Sequence, residues 1–327
     1  MARKETRQRS LGDSLLMEHK ALRALDDIHA LIDWARIDAL MEGIHASEVG
    51  NLAYPPLMKF KALLLQTWHQ LSDPQLESQL ARDLLFRRFV GMGISDKVPH
   101  STVFVRFRAT LRQHGLFEPL FHEINKQLTE QSIIIKHGQI SIIDATVTEA
   151  HRARPRKDKD GNNTQDPEAG HNRKTAANGK DTYTYGYKNH INVEEDGFIT
   201  HIAVTAGNVH DSQVFERIIP KDTEAVYADS AYASRRHDKW LQAHGIRNRI
   251  IARAYRNTPL TKVQKERNRL YSSVRSTVER VFGVLKLHLG LTKTKYVGLA
   301  RNQAQLSLVS MAYNLKRAAK INALCAG

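Results

Sequence analysis

Between Asn268 and Leu289 the apolar residues Leu270, Val274, Val278, Val281, Phe282, Leu285 and Leu289 recur at steps of three and four, the spacing of a helix face packed on a core. At about 100° per residue, Ser272, Arg275, Gly283 and Lys286 lie within roughly 40° of Glu279 on the other face, so this helix sets one acid in a basic strip. The same period predicts helices earlier in the chain: over Leu22 to Ala39, over Leu57 to Leu71, from Ser72 to about Val90, from Ser101 or Thr102 through TVFVRFRATLRQH, and over about Phe117 to Glu130. Ser72-Asp73-Pro74 supplies a stop, an N-cap and a proline at the first helical position. Gly91 and Gly93 end the helix that follows.

Near Lys136 the period changes from helical to β. In HGQISIIDATVTEA, Ile140, Ile142, Ile143 and Val147 form a short apolar run that predicts a buried strand with Asp144 inside it. A buried carboxylate is costly without a partner, which marks Asp144 as a functional candidate. Strands follow at about 183–193 and 198–206, joined by Glu195-Asp196-Gly197. Asp211 or Ser212 introduces a helix to about Ile219. The strand Glu224 to Ala228 delivers Asp229 at its C-terminal end, where α/β sheets place functional groups, although an N-capping role fits Asp229 equally. A helix at Arg235 to Ala243, a strand at Asn248 to Ala252 and the Glu279 helix complete a five-strand set. Residues 151–182 contain no Val, Ile, Leu, Met, Phe, Tyr or Trp and read as a mobile polar insertion.

Charge changes this picture. The chain of 327 residues carries a net charge of +15, and beyond Gly245 it holds seventeen Lys and Arg against two acids, Glu266 and Glu279. The excess therefore lies wholly in the last quarter, leaving 49 − 17 = 32 bases against 34 − 2 = 32 acids upstream. Such a field favours a polyanionic partner. The only cysteine is Cys325, which excludes a disulfide framework and a thiolate zinc site. No apolar window spans a membrane and the N-terminus lacks an apolar leader, so a soluble, intracellular protein is expected. The organisation expected is a basic flexible arm over 1–20, a helical DNA-binding domain over 21–135 and an α/β domain over 136–327. The short helices of the second part, the last bearing Arg106, Arg108 and Arg112, resemble a helix-turn-helix layout.

The strand and helix order, with Asp144 on the first strand, Asp229 on the fourth and Glu279 on a late helix, resembles the ribonuclease H-like arrangement. IDATV, GNVHD, YADSAY and VERVFGVLK, the spacing Arg275, Glu279, Lys286, and the N-terminal PPLMKFKALLLQTWHQLSDPQLESQLARDLLFRRFVG resemble the DDE transposases of the IS4 and IS5 insertion-sequence group, most closely the IS5 type. One departure is visible: the group's Tyr three residues before the Arg is Ser272 here, with Tyr271 one step away. The resemblance implies an N-terminal all-α domain followed by an α/β/α catalytic domain with a mixed five-stranded sheet. It implies cleavage at the ends of an insertion sequence and transfer of the 3′-hydroxyl ends into target DNA. Two divalent ions, Mg²⁺ or Mn²⁺, about 4 Å apart would be held by Asp144, Asp229 and Glu279. Arg275 and Lys286 would clamp phosphates, with Arg106, Arg108 and Arg112 contacting DNA and His210 standing behind the ligands. Double-stranded DNA, both terminal inverted repeats and target, is the partner implied, bound by a homodimer or higher oligomer.

Two other readings compete. A non-catalytic basic DNA-binding protein would explain the charge but not acids on two buried strands and a helix. A zinc or histidine hydrolase could recruit His137, His190, His201 or His210, but no HxxxH or CxxC pairing occurs.

Overall fold

The computed structural model describes residues 20–44, 53–134, 139–150, 158–161, 165–175, 181–254 and 258–325. Two compact units emerge, one of residues 1–133 with 307–327, the other of 134–306. The final segment thus groups with the helical unit, not with the sheet unit as expected. Most of the basic arm, together with Lys136 and His137, lies outside the described residues.

In the first unit the periodic stretches become α1 (Asp26–Ala30), α2 (Trp34–Ala39), α3 (Pro56–Trp68), α4 (Asp73–Arg82), α5 (Leu84–Val90), α6 (Ser101–Gln113) and α7 (Phe117–Glu130). Two stretches expected as single helices are each broken by an aspartate. Asp33 and Asp83 turn their carboxylates onto the amides of Ala35 and Leu85, so each starts a new helix. Ser72 and Gln75 form a reciprocal capping box at α4. At α6 the cap is His100, whose ring accepts the Thr102 amide, in place of the expected Ser101 or Thr102. Helix α3 is buried almost all round: Phe60, Ala62, Leu63, Leu64 and Leu65 have no exposure. Even its lysines are covered, with Lys61 Nζ 4.3 Å from the Trp34 ring centroid and Lys59 Nζ 4.6 Å from that of Phe107. Trp68 at its end donates to the Ala312 carbonyl of the last helix, Leu299–Cys325, which was not expected from the sequence.

The second unit is built on β1 (Ile140–Glu149), β2 (Gly170–Thr175), β3 (Asp181–Val193), β4 (Ile199–Ala206), β5 (Ala225–Ala228) and β6 (Arg247–Ile250), with α8 (Arg235–Ala243), α9 (Lys262–Leu289) and the start of α10, the Leu299–Cys325 helix. The sheet is mixed: β3 runs antiparallel to β1, β2 and β4, whereas β1, β5 and β6 are parallel. This is the ribonuclease H-like arrangement, but with six strands where five were expected. The added strand, β2, comes from the polar insertion and pairs with Asp181 to Gly186 of β3. Its origin was hidden because GHNRKT has no apolar alternation; backbone pairing alone makes it a strand. The preceding turn is pinned by Asp166, which is 2% exposed and accepts from the hydroxyls of Tyr185 and Tyr187. A junction of glycines lets the strands meet: a Cβ on Gly186 would lie 2.1 Å from the Thr148 carbonyl, and one on Gly207 2.4 Å from that of Gly170.

Helix α9 begins at a capping box between Thr261 and Gln264 and ends at Gly290 in the left-handed conformation. Val278, Val281, Phe282, Leu285 and Leu289 form its buried stripe and pack it on β1 and β5. Leu270, expected in that stripe, is 67% exposed, because almost every residue from Lys262 to Leu270 faces solvent, Asn268 alone being half-buried.

Candidate active site

Strand register brings the two aspartates together. In the parallel pair β1·β5, Ile143 lies opposite Ala228, so Asp144 and Asp229 each follow the same paired step. Ile142, Ile143, Val226 and Ala228 are fully buried and anchor both strands beneath them. Asp144 Oδ1 accepts the amide of Ala145 at 2.9 Å, and Asp229 Oδ1 accepts that of Ser230 at 2.6 Å. The N-capping role open to Asp229 is thus realised, while its carboxylate still faces the site.

Helix α9 completes the cluster. Arg275 Nη2 stands 3.5 Å from Asp144 Oδ2 and 4.0 Å from Glu279 Oε1, and its Nη1 stands 3.9 Å from Asp229 Oδ1. One guanidinium therefore faces all three candidate acids. Side-chain exposure rises from 10% at Arg275 through 23% at Asp144 and 47% at Asp229 to 62% at Glu279, giving the cluster a buried floor and an open side. Burial pushes the Asp144 carboxyl up to about 6; Arg275 opposes this, and the charges of Asp229 and Glu279 add to it. Lys286, two turns past Glu279, is half-buried and shifted down, first by burial and then by Lys174 of β2, against an upward pull from Asp144. The insertion strand thus carries a base toward the same region, which the polar composition of 151–182 alone did not reveal.

Carboxylate oxygens are the hard donors a divalent metal ion takes, but with Arg275 between them the three acids stand too far apart to form a ready ligand group, and none occurs among the described residues. Behind them, Tyr232 is 1% exposed and its pKa is raised, chiefly by burial and then by Asp211 and Asp144. His237, which sequence reasoning passed over, directs its ring nitrogens at the carbonyls of Tyr232 and Ser212 and stacks on Phe215 at 4.0 Å, tying the turn after Asp229 to the 211–217 segment.

Other expected residues are placed differently. His210 caps the 3-10 helix Asp211–Arg217 by accepting the Ser212 amide, and its described contacts are those of that turn. Asp211, expected as the cap, pairs at 2.9 Å with Lys188. Arg106 is exposed on α6 and Arg112 half-buried. Arg108 is turned inward, to Asp73 at 2.6 Å and Gln66 at 2.9 Å. Tyr271 packs edge-on against Tyr227 beneath Arg249.

Residues 135–315 match the transposase DDE domain family, and residues 11–110 match a second transposase domain family. The chain belongs to the DDE transposases. Among its relatives, the transposase for insertion sequence element IS1106 of Neisseria meningitidis serogroup B is 31% identical over 229 residues, which are 66% of this chain and 77% of that protein. A cryo-EM structure of the piggyBac transposase synaptic complex with hairpin DNA resembles 98% of this chain and 77% of its own at 12% identity, with a TM-score of 0.42, too loose a likeness to inform the site. As a DDE transposase of an insertion sequence, the protein is a DNA-cleaving and strand-transferring enzyme that depends on divalent metal. No described helix is long and apolar enough to cross a membrane.

Proposed function

We propose that this transposase, of the IS5 type, cleaves DNA at the terminal inverted repeats of its own element and joins the freed 3′-hydroxyls to target DNA, using Asp144, Asp229 and Glu279 as the ligands of two Mg²⁺ ions, with Mn²⁺ as a substitute. The convergence of these three carboxylates on one guanidinium, from a buried strand, a neighbouring strand end and a helix, carries the reading. Bound there, the ions would supply Lewis-acid stabilisation of the attacking and leaving oxygens. The chain's own work is positional. Asp144 and Asp229 are fixed by the sheet register and by the amides of Ala145 and Ser230, and Arg275 holds Asp144 Oδ2 from the buried side. Lys286 sits on the same helical face and offers a phosphate a point charge with three donors.

The helical domain, with Arg106 and Arg112 as candidates on α6, would recognise the terminal repeats. The basic last quarter would contribute contacts to phosphate independent of sequence. A homodimer or larger assembly on paired DNA ends, associated with the nucleoid, is the state this reading requires. The test uses end DNA taken from the flanks of the reading frame, with Mg²⁺ or with chelator. The chelated protein should bind the DNA and leave it intact, and Mg²⁺ should restore nicking at the repeat boundary. Nicking that persists in chelator would overturn the assignment.

A further inference from the structure

Buried arginine–carboxylate pairs usually close to short, forked bonds. In the helical unit even more exposed pairs close: Arg36 to Glu130 at 2.6 Å and Arg88 to Asp26 at 2.8 Å are both forked, and the more buried Arg108 reaches Asp73 at 2.6 Å through one nitrogen. Arg275 departs from this pattern. Its three carboxylate contacts lie at 3.5, 3.9 and 4.0 Å, and its buried Nε has no hydrogen-bond partner among the described residues. The guanidinium is centred among three acids, and its one hydrogen bond to them, donated from Nη2 to Asp144 Oδ2, is stretched to 3.5 Å.

The charge balance explains why it is there. Asp144, Asp229 and Glu279 together carry −3 when ionised, and one guanidinium reduces that to −2. Without it the acids would repel one another across the site, and Asp144, the least exposed of the three, would bear most of the cost. A guanidinium held by field more than by directed bonds gives up little when it leaves, and the open side at Glu279 gives its long stem a direction in which to turn.

We propose that Arg275 is a resident counter-cation of the carboxylate cluster, holding the three acids together in the protein without divalent ions and giving up that place when such ions bind. Arg275 is then a positioning residue that competes with metal. The proposal rests on the reading of the three acids as metal ligands.

The experiment uses the full chain, stripped with chelator, and Mn²⁺ alone as the probe. Arg275→Gln should melt at a lower temperature than native protein when stripped, and should bind Mn²⁺ about tenfold more tightly by titration calorimetry, as expected if the native site is open only about a tenth of the time. The gap in melting temperature should then narrow at saturating Mn²⁺. Arg275→Lys, which keeps the charge and loses the fork, should fall between the two. Equal or weaker Mn²⁺ binding by Arg275→Gln, or a melting deficit unchanged by Mn²⁺, would make Arg275 a fixed scaffold and overturn the proposal.

A second measurement needs no variant. In native protein, labelling of Arg275 by an arginine-selective dicarbonyl, read by peptide mass spectrometry, should rise on adding Mn²⁺, and labelling that stays flat would overturn the proposal. Asp144→Asn should abolish the Mn²⁺ binding seen in native protein. If it does not, the ligand assignment itself is wrong and the counter-cation role goes with it.

Discussion

Two buried arginines, Arg87 in the helical unit and Arg275 in the sheet unit, are 6% and 9% exposed and yet are treated in opposite ways. Arg87 meets only backbone: its guanidinium donates to the carbonyls of Leu80, Gly93, Ile94 and Asp96, the last two at 2.8 Å. Those bonds fix the turn after α5, where Gly91 takes the left-handed conformation, and they leave the charge with nothing further to attract. Arg275 meets three carboxylates at long range and keeps a nitrogen unmet. A cation whose donors are saturated by carbonyls is architecture. One left short of bonds among acids has somewhere else to go, and burial alone does not distinguish the two.

The largest effect should come from the acids around Arg275. Asp144→Asn, Asp229→Asn and Glu279→Gln should each lower Mg²⁺-dependent DNA cleavage roughly a thousandfold or more, while urea unfolding stays close to native. Near-native cleavage by any one of them removes that residue from the site. Arg87→Met should do the reverse. Leaving several buried carbonyls without donors should cost about 2–4 kcal/mol in urea unfolding, with cleavage per folded molecule retained. A loss under about 1 kcal/mol would mean the turn does not depend on those bonds and would break the contrast.

A smaller effect concerns a buried base that can discharge, as an arginine cannot. His190 on β3 has no exposure and donates to or accepts from Thr205, and burial above all moves its pKa down to about 4. Because the folded-state value lies below the ordinary one of about 6.5, its contribution is complete above that pH and is lost as pH falls toward 4, reaching about 3 kcal/mol. The fall in unfolding free energy between pH 7 and pH 4 should therefore be shallower by about that amount in His190→Asn. Equal slopes for native and variant would exclude His190 as the cause.

What could be read in the chain divides along the same line. Asp144 was legible because Ile142 and Ile143 beside it form an apolar run that only a buried strand explains, and the stripe from Val278 to Leu289 revealed the face of α9 that packs. Period alone could not show where that helix outruns its support, so Leu270 read as core and stands in solvent. Nor does it separate an aspartate inside a helix from one that starts the next, which is how Asp33 and Asp83 were passed over. Strand β2 escaped because its stability comes from a neighbour's backbone. The inward turn of Arg108 depends on Asp73 and Gln66, 35 and 42 residues away, and no local pattern carries that information.

Pairing of β2 with β3, and the capture of Asp166 by Tyr185 and Tyr187, fix both ends of a ten-residue segment, Asp166 to Thr175, inside the polar stretch 151–182. The length of that segment is therefore set by its register. A single residue added between the Asp166 anchor and Lys174 would carry that lysine to the opposite face of the sheet, since side chains alternate along a strand.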